Sequence, residues 1–335
     1  MASKREIAAV FSWYSGLTAL LRLLPSKPVL LVLNYHRIGK AQESPYDSGV
    51  FSATAEDFDA QIRCVKKYFH VATLDEAAEI IVTGKKPRSA VALLTFDDGY
   101  VDNYRVAFPA LTSQKVQGVF FLATGFIGSN HIPWWDATAY IIKRSGPRTI
   151  RLGERVIEIG PGSRHTAIEQ AVSAYKTSAL GDADSFIALL ESECDTARPD
   201  GSERCFLDWE EAAEMARCGM AVGSHTHTHP NLATLSYDQQ LAEFKLSKTL
   251  LEGSLGVPVR SVAYPYGLRE TLSPATFEAA RDAGYRLGFS FHGGFNSPGA
   301  IDSMNVSRCA VSGGIDRYGF EFAAGVAAVT GRFSA

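Results

Sequence analysis

Three of the chain's eight histidines fall within five residues, in Gly223-Ser224-His225-Thr226-His227-Thr228-His229-Pro230. His225 and His229 are four apart, a spacing that on one helical turn presents two imidazoles to a single ion, and imidazole suits zinc and neighbouring transition metals. His227 lies off that face and reads as a neighbour. Thr226 stands where the helical zinc-protease motif needs a glutamate base, so this is not that motif. Two nitrogen ligands call for an oxygen donor, and Asp97 or Asp98 of Thr95-Phe96-Asp97-Asp98-Gly99-Tyr100 supplies one. Adjacent carboxylates repel and strand alternation points them differently, so one is expected on the ion and the other free to act as a base. Two histidines, one carboxylate and open positions describe a catalytic rather than a structural metal site. The chemistry they predict is metal-activated hydrolysis.

Two further fragments carry polar groups at the end of an apolar run. In Arg260-Ser261-Val262-Ala263-Tyr264-Pro265-Tyr266-Gly267 the Pro and Gly expose backbone, and an N–H there can hold a developing oxyanion. In Asn34-Tyr35-His36-Arg37 the histidine can act as general acid, its pKa near neutrality suiting protonation of a leaving amine. Taken singly, Asp-Asp-Gly and Pro-Tyr-Gly are also ordinary turn chemistry, and a lone histidine is usually a satisfied structural one. Their shared position decides otherwise, because the C-terminal ends of strands are where parallel α/β barrels place active sites.

The elements that must position them are legible as alternating apolar runs and helical periodicities, the α/β signature. Strands are expected over Val29–Asn34, Ala90–Phe96, Gly118–Ala123, Met220–Ser224, Val259–Tyr264, Tyr285–Phe291 and Asn305–Ser312, with a weaker one near His70–Thr73. Helices are expected over Thr54–Phe69, Leu74–Thr83, Tyr104–Lys115, Asp208–Cys218, Ser236–Gly253 and Ser273–Ala283. Seven or eight strands separated by helices suggest a closed or nearly closed barrel over residues 28–335. An insertion at about 141–204 breaks the rhythm with a hairpin (Thr149–Leu152, Val156–Ile159) and two helices (Thr166–Ser178, Asp184–Glu193), and reads as a cap.

Composition narrows the class. The chain has 335 residues, 46% hydrophobic and 21% charged, which excludes wholesale disorder. A formal charge of −3 offers no basic field for phosphates, so nucleic acid is not an expected partner. Five cysteines without a C-x-x-C pair argue against a disulfide framework or a cysteine metal site. Residues 1–27 read as an amphipathic helix: the apolar stretch Ile7–Leu24 follows Lys4 and Arg5, is interrupted by Ser12, Ser15 and Arg22, and is short of a clean membrane span. It suits peripheral contact with a membrane surface.

Together the four fragments resemble the polysaccharide deacetylase family, the NodB-type carbohydrate esterases of family 4. Thr95-Phe96-Asp97-Asp98-Gly99 matches its first motif, His225-Thr226-x-x-His229 its second, and Pro265-Tyr266-Gly267 part of its third. The resemblance implies a distorted (β/α) barrel of seven to eight strands with one divalent ion, most often Zn2+ with Co2+ or Ni2+ as substitutes, held by Asp98, His225 and His229. It further implies Asp97 as general base and the Tyr266 backbone N–H on the tetrahedral intermediate. This chain departs from the typical member at Ala263, where an arginine partner for the base is usual, and no Leu-x-His follows Tyr266. The pattern is similar to the subgroup with permuted motifs, that of poly-N-acetylglucosamine deacetylases, in which the acid histidine sits in a Tyr-His pair. Tyr35-His36 fits that slot and makes His36 the expected acid.

Arg308 on the last strand is the candidate replacement for the missing arginine and, with Tyr264, joins the substrate-facing set. Trp134-Trp135-Asp136 could serve that set as an aromatic platform with a hydroxyl acceptor, although buried packing is the commoner fate of tryptophan. The resulting expectation is hydrolysis of N-acetyl groups from an amino-sugar oligosaccharide, polysaccharide or lipid-linked precursor, releasing acetate. An amidase of the same fold acting on a small amide or ureide is the nearest rival, and a non-catalytic glycan-binding protein the rival of another class. The absence of a convincing export signal and the unpaired cysteines suggest a cytoplasmic or inner-membrane-face enzyme.

Overall fold

The computed structural model describes residues 20–21, 23–177, 182–315 and 317–333. The expected helix over residues 1–27 falls largely outside them. No helix among the described residues is long and apolar enough to cross a membrane.

The chain divides into two compact units, one comprising residues up to Gly39, Ser52–Ser129 and Phe206 onward, the other Lys40–Phe51 and Asn130–Cys205. The first holds a parallel sheet of eight strands: β1 Leu30–Tyr35, β2 His70–Val71, β3 Val91–Phe96, β4 Gly118–Leu122, β5 Ala221–Ser224, β6 Ser261–Ala263, β7 Leu287–Phe289 and β8 Cys309–Ala310. Their order is β7-β6-β5-β4-β3-β1-β8, with β2 paired to the first residues of β3. The closing segment explains the barrel character. Val306 bridges Phe289 of β7 in parallel, and three residues later Cys309 pairs with Leu33 of β1, so one short stretch joins both edges of the sheet.

The strands are continuous apolar runs because both faces are covered. In β1 and β3 every residue is buried. Leu30 and Val32 pack with Leu93, Val119, Phe121 and Phe289 on one face. Leu31, Leu33 and Tyr35 pack with Leu94, Phe96 and Phe120 on the other. Gly223 lets β5 pass the ring of Phe121, which a Cβ would strike. Helices begin at side-chain caps that take up orphan backbone N–H groups, as at Thr73 with Glu76, Asp208 with Glu211 and Ser236 with Gln239.

All expected strands form, most of them shorter than the apolar runs that announce them. Two helices went unanticipated. Trp134–Arg144 begins after Pro133, and its buried Trp134, Ala137, Thr138, Ile141 and Ile142 follow helical spacing; the paired tryptophans obscure it. Arg317–Thr330 carries two glycines that weaken the pattern, and one of them, Gly325, admits the close approach of Tyr68.

The second unit contains an antiparallel hairpin, Arg148–Leu152 with Arg155–Ile159, and the helices Trp134–Arg144, Arg164–Thr177 and Ala183–Cys194. Ile150, Leu152, Ile157 and Ile159 bury one face of the hairpin in strict alternation. The Lys143 ammonium donates to the carbonyls of Ser44 and Tyr46, and the Asp47 N–H donates to Asp136, tying residues 40–51 to this unit.

Candidate active site

Each of the four sequence fragments emerges at the C-terminal end of a parallel strand. Asp97 and Asp98 follow β3, Asn34 and Tyr35 end β1 ahead of His36, His225 follows β5, and Tyr264 to Tyr266 follow β6. Register brings the ends together: Asn34 pairs with Thr95 and Leu122 with Ser224. Arg308 arrives from the segment immediately before β8.

Asp98, His225 and His229 offer three ligand atoms within 4.8 Å of one another. Asp98 Oδ1 lies 3.4 Å from the Nε2 atoms of both His225 and His229. It is buried and has no hydrogen-bond partner among the described residues. An orphaned buried carboxylate oxygen facing two imidazoles is costly unless something positive lies between them. His225 Nδ1 is 2.8 Å from the carbonyl of Ala263, which fixes the ring and turns Nε2 toward Asp98. The donor set therefore fits a divalent cation with imidazole preference.

The electrostatics agree. Burial alone would raise the Asp98 carboxyl, but the adjacent imidazoles and the charge of His36 hold it well below the usual carboxylate range. Burial pushes His229 down to about 3, so it stands neutral with a lone pair to donate. Burial also acts to lower His225, but the carboxylates of Asp97 and Asp98 overrule it and raise this imidazole. A divalent cation at this point would compete with a proton for the His225 imidazole.

Asp97 is held differently. Both its oxygens face Arg308, with NH1 to Oδ1 at 2.6 Å and NH2 to Oδ2 at 2.8 Å, a bidentate pair whose arginine is 1% exposed. The Asn34 amide adds a third donor at 3.2 Å, and its Oδ1 accepts from Arg308 NH1 at 3.0 Å. Burial would raise Asp97, but the Arg308 guanidinium and the charge of His225 keep it below the ordinary carboxylate value. Arg308, grouped from sequence with the substrate-facing residues, thus binds the Asp97 carboxylate. Asn34 was not singled out from its own chemistry, yet a polar residue inside the apolar run Leu30–Tyr35 was a signal for it.

His36 is half-buried and lies within electrostatic reach of Asp97, Asp98 and His229, which places it near the cluster. Tyr266 packs edge-on against His229 with ring centroids 5.3 Å apart. The two imidazoles are not presented by a helical turn as the spacing suggested. Residues 225–230 form no helix, and Thr226 and His229 both lie in the left-handed region, at φ 64° and 57°. Asp98 and Tyr266 share that conformation at φ 73° and 60°. Non-glycine residues seldom adopt it, and four of them concentrate at one site.

A profile of the polysaccharide deacetylase family matches residues 84–288. The chain belongs to the polysaccharide deacetylase family. That family comprises hydrolases acting on carbon–nitrogen bonds of acetylated sugars. Among its relatives is YxkH of Bacillus subtilis (strain 168), named as a candidate polysaccharide deacetylase, 22% identical over 264 residues that cover 78% of this chain and 64% of that protein. The chain thus spans just under two thirds of that relative's length. Solved structures share the fold of this deacetylase-family chain. The Streptococcus pyogenes deacetylase PplD in complex with acetate superposes with TM-score 0.57 at 19% identity, covering 88% of this chain and 97% of that one. IcaB from Ammonifex degensii gives TM-score 0.55 at 21% identity, covering 86% and 94%.

The remaining sequence candidates take other places. Tyr264 is wholly buried and donates its hydroxyl to the Met304 carbonyl at 2.9 Å. Trp134, Trp135 and Asp136 belong to the second unit. Trp134 packs against Tyr175 and Phe186, Trp135 is 7% exposed, and Asp136 accepts from the Asp47 N–H. This is the burial of core packing, with little open ring face for a sugar. His227 pairs its Nδ1 with the Thr124 hydroxyl at 2.9 Å, in keeping with its reading as a neighbour.

Proposed function

We propose that this chain is a metal-dependent deacetylase that hydrolyses N-acetyl groups of an amino-sugar glycan or glycan precursor, releasing acetate and leaving a free amine. The observation that carries the reading is the buried, unsatisfied Asp98 oxygen between two imidazoles, next to a second carboxylate held by Arg308. Asp98, His225 and His229 would hold the ion, zinc in the first instance, which when bound supplies Lewis-acid polarisation and lowers the pKa of water. Asp97, kept ionised by Arg308 and Asn34, takes the proton from the attacking water. His36 returns a proton to the nitrogen as the carbon–nitrogen bond breaks. The backbone at Tyr266, turned by its left-handed φ, is the candidate donor to the developing oxyanion. The acetate bound in the Streptococcus pyogenes relative is the product such a reaction releases.

The test is acetate and free-amine release from N-acetylglucosamine oligomers, before and after chelation and zinc restoration, beside a panel of simple amides. Expected results are chelation-sensitive release from the oligomers, and for His225→Ala loss of both zinc and turnover. Purified wild-type protein without stoichiometric metal, or release indifferent to chelation, would sink the metal-dependent reading; preference for simple amides would favour the amidase.

A lipid-linked precursor and peripheral membrane contact are part of the same proposal. Leu20, Leu23 and Leu24, at the end of the apolar sequence Ile7–Leu24, expose 56%, 80% and 50% of their surface. Flotation with anionic vesicles should carry the full chain upward, and Leu20→Ser/Leu23→Ser/Leu24→Ser should weaken that. Equal flotation of the two proteins, or none by either, would remove the membrane contact.

A further inference from the structure

The loop between the two candidate histidine ligands is held from outside the site by one carboxylate. Glu243, on the helix Tyr237–Leu255, accepts the backbone N–H groups of His227 and Thr228 on Oε2, each at 2.8 Å, and the Thr228 hydroxyl on Oε1 at 2.8 Å. Two successive N–H groups converging on one oxygen form a small anion-binding concavity. Here the anion is supplied by the protein itself, and no cation among the described residues pairs with Glu243.

The loop needs such a hold. Thr226 and His229, at either end of the Glu243-bound pair, are left-handed at φ 64° and 57°, a conformation that L-residues hold only where the surroundings impose it. Its other contacts run to Ser224, Thr124 and Gly125 and within the loop itself. Thr226 N–H donates to Ser224 Oγ at 3.1 Å, His229 N–H to Thr226 Oγ1 at 3.2 Å, and the carbonyls of Thr226 and His227 accept from Thr124 and Gly125. Glu243 is the partner that holds both His227 and Thr228 by their backbone N–H groups, and it does so with a formal charge, which strengthens each bond.

We infer that Glu243 is a positioning residue for the metal site: it fixes the His225–Thr228 turn, and with it the separation of the His225 and His229 imidazoles, so that the pair is preset for an ion. It touches neither substrate nor the reacting atoms, and its effect falls on how tightly the ion is held rather than on the chemical step. The inference rests on the proposed metal-dependent function and adds a residue to it.

The experiment measures zinc dissociation constants by chelator competition on full-length apoprotein. Second-sphere partners of metal ligands typically change affinity by about 10- to 100-fold, and Glu243→Gln is expected within that range. Thr228→Val removes one of the three bonds and should give a smaller loss, and it keeps the inference testable should Glu243→Gln fold poorly. Glu252→Gln is the control, since Glu252 sits on the same helix and caps the Val259 N–H, away from the histidine loop; its zinc affinity should stay within about twofold. With zinc saturating, kcat of Glu243→Gln should stay within a few-fold of wild type. Wild-type affinity in both Glu243→Gln and Thr228→Val, or an equal loss in Glu252→Gln, would overturn the role of Glu243 while leaving the proposed function intact. A wild-type protein that binds no zinc would overturn both.

Discussion

Asp97→Asn should lower turnover by about two to four orders of magnitude, the range that a positioned general base contributes, while zinc affinity changes by no more than a few-fold. The two readouts separate because the carboxylates have separate neighbours. Asp98 faces the imidazoles, whereas Asp97 Oδ2 is 3.9 Å from His225 Nε2 and engages Arg308 with both oxygens. Asparagine keeps the shape but not the charge, and its amide N–H would confront one arm of the Arg308 fork, donor against donor. Some loss of stability is therefore expected alongside the lost base. The measurement is kcat on an N-acetylglucosamine oligomer at saturating zinc, normalised to folded protein, together with zinc titration. Turnover near the wild-type value would remove Asp97 from the role of base.

Arg308→Met should cost about 3–5 kcal/mol of stability, because removing one member of a buried ion pair strands the other. Arg308 is 1% exposed and the Asp97 side chain 4%, so water cannot replace the guanidinium. The sign with pH follows from Asp97. Its folded pKa lies below the unfolded value of about 3.9, so the pair's contribution is fully present above that value and is lost as pH falls through the depressed folded pKa. In Arg308→Met the burial of Asp97 loses its strongest opponent, its pKa rises, and the acid limb of the activity profile should move to higher pH. Urea unfolding of zinc-free protein at neutral pH reads the stability change, and Asp97→Asn/Arg308→Met should recover most of it. An unchanged unfolding midpoint in Arg308→Met would contradict the pairing.

How much was legible follows from how far apart the partners are. Asp98, His225 and His229 announced themselves because each motif is local, with its residue types at fixed spacing at the end of an apolar run. The barrel was legible for the same reason, since parallel strands covered on both faces are continuous apolar runs. Arg308 was only a guess, because 211 residues separate it from Asp97 and the strand after it is two residues long. Glu243 left no signal at all: in sequence it is an ordinary glutamate on a mixed-polarity helix. The spacing of His225 and His229 suggested a helical turn, but two left-handed residues do the work of that turn, and backbone conformation of that kind in Thr or His has no compositional mark as it does in glycine.

The short stretch that ties β7 to β1 also sets a timetable. Asn34 and Arg308, which together grip Asp97, are separated by 274 positions, so the first part of the base assembly leaves the ribosome long before the last. A chain that already contains Asp98, His225 and His229 still lacks, until Arg308 is made, the guanidinium that holds Asp97 charged and aimed. The segment that completes the sheet and the side chain that holds Asp97 thus arrive together, so a sheet left open at this seam has no gripped Asp97 carboxylate.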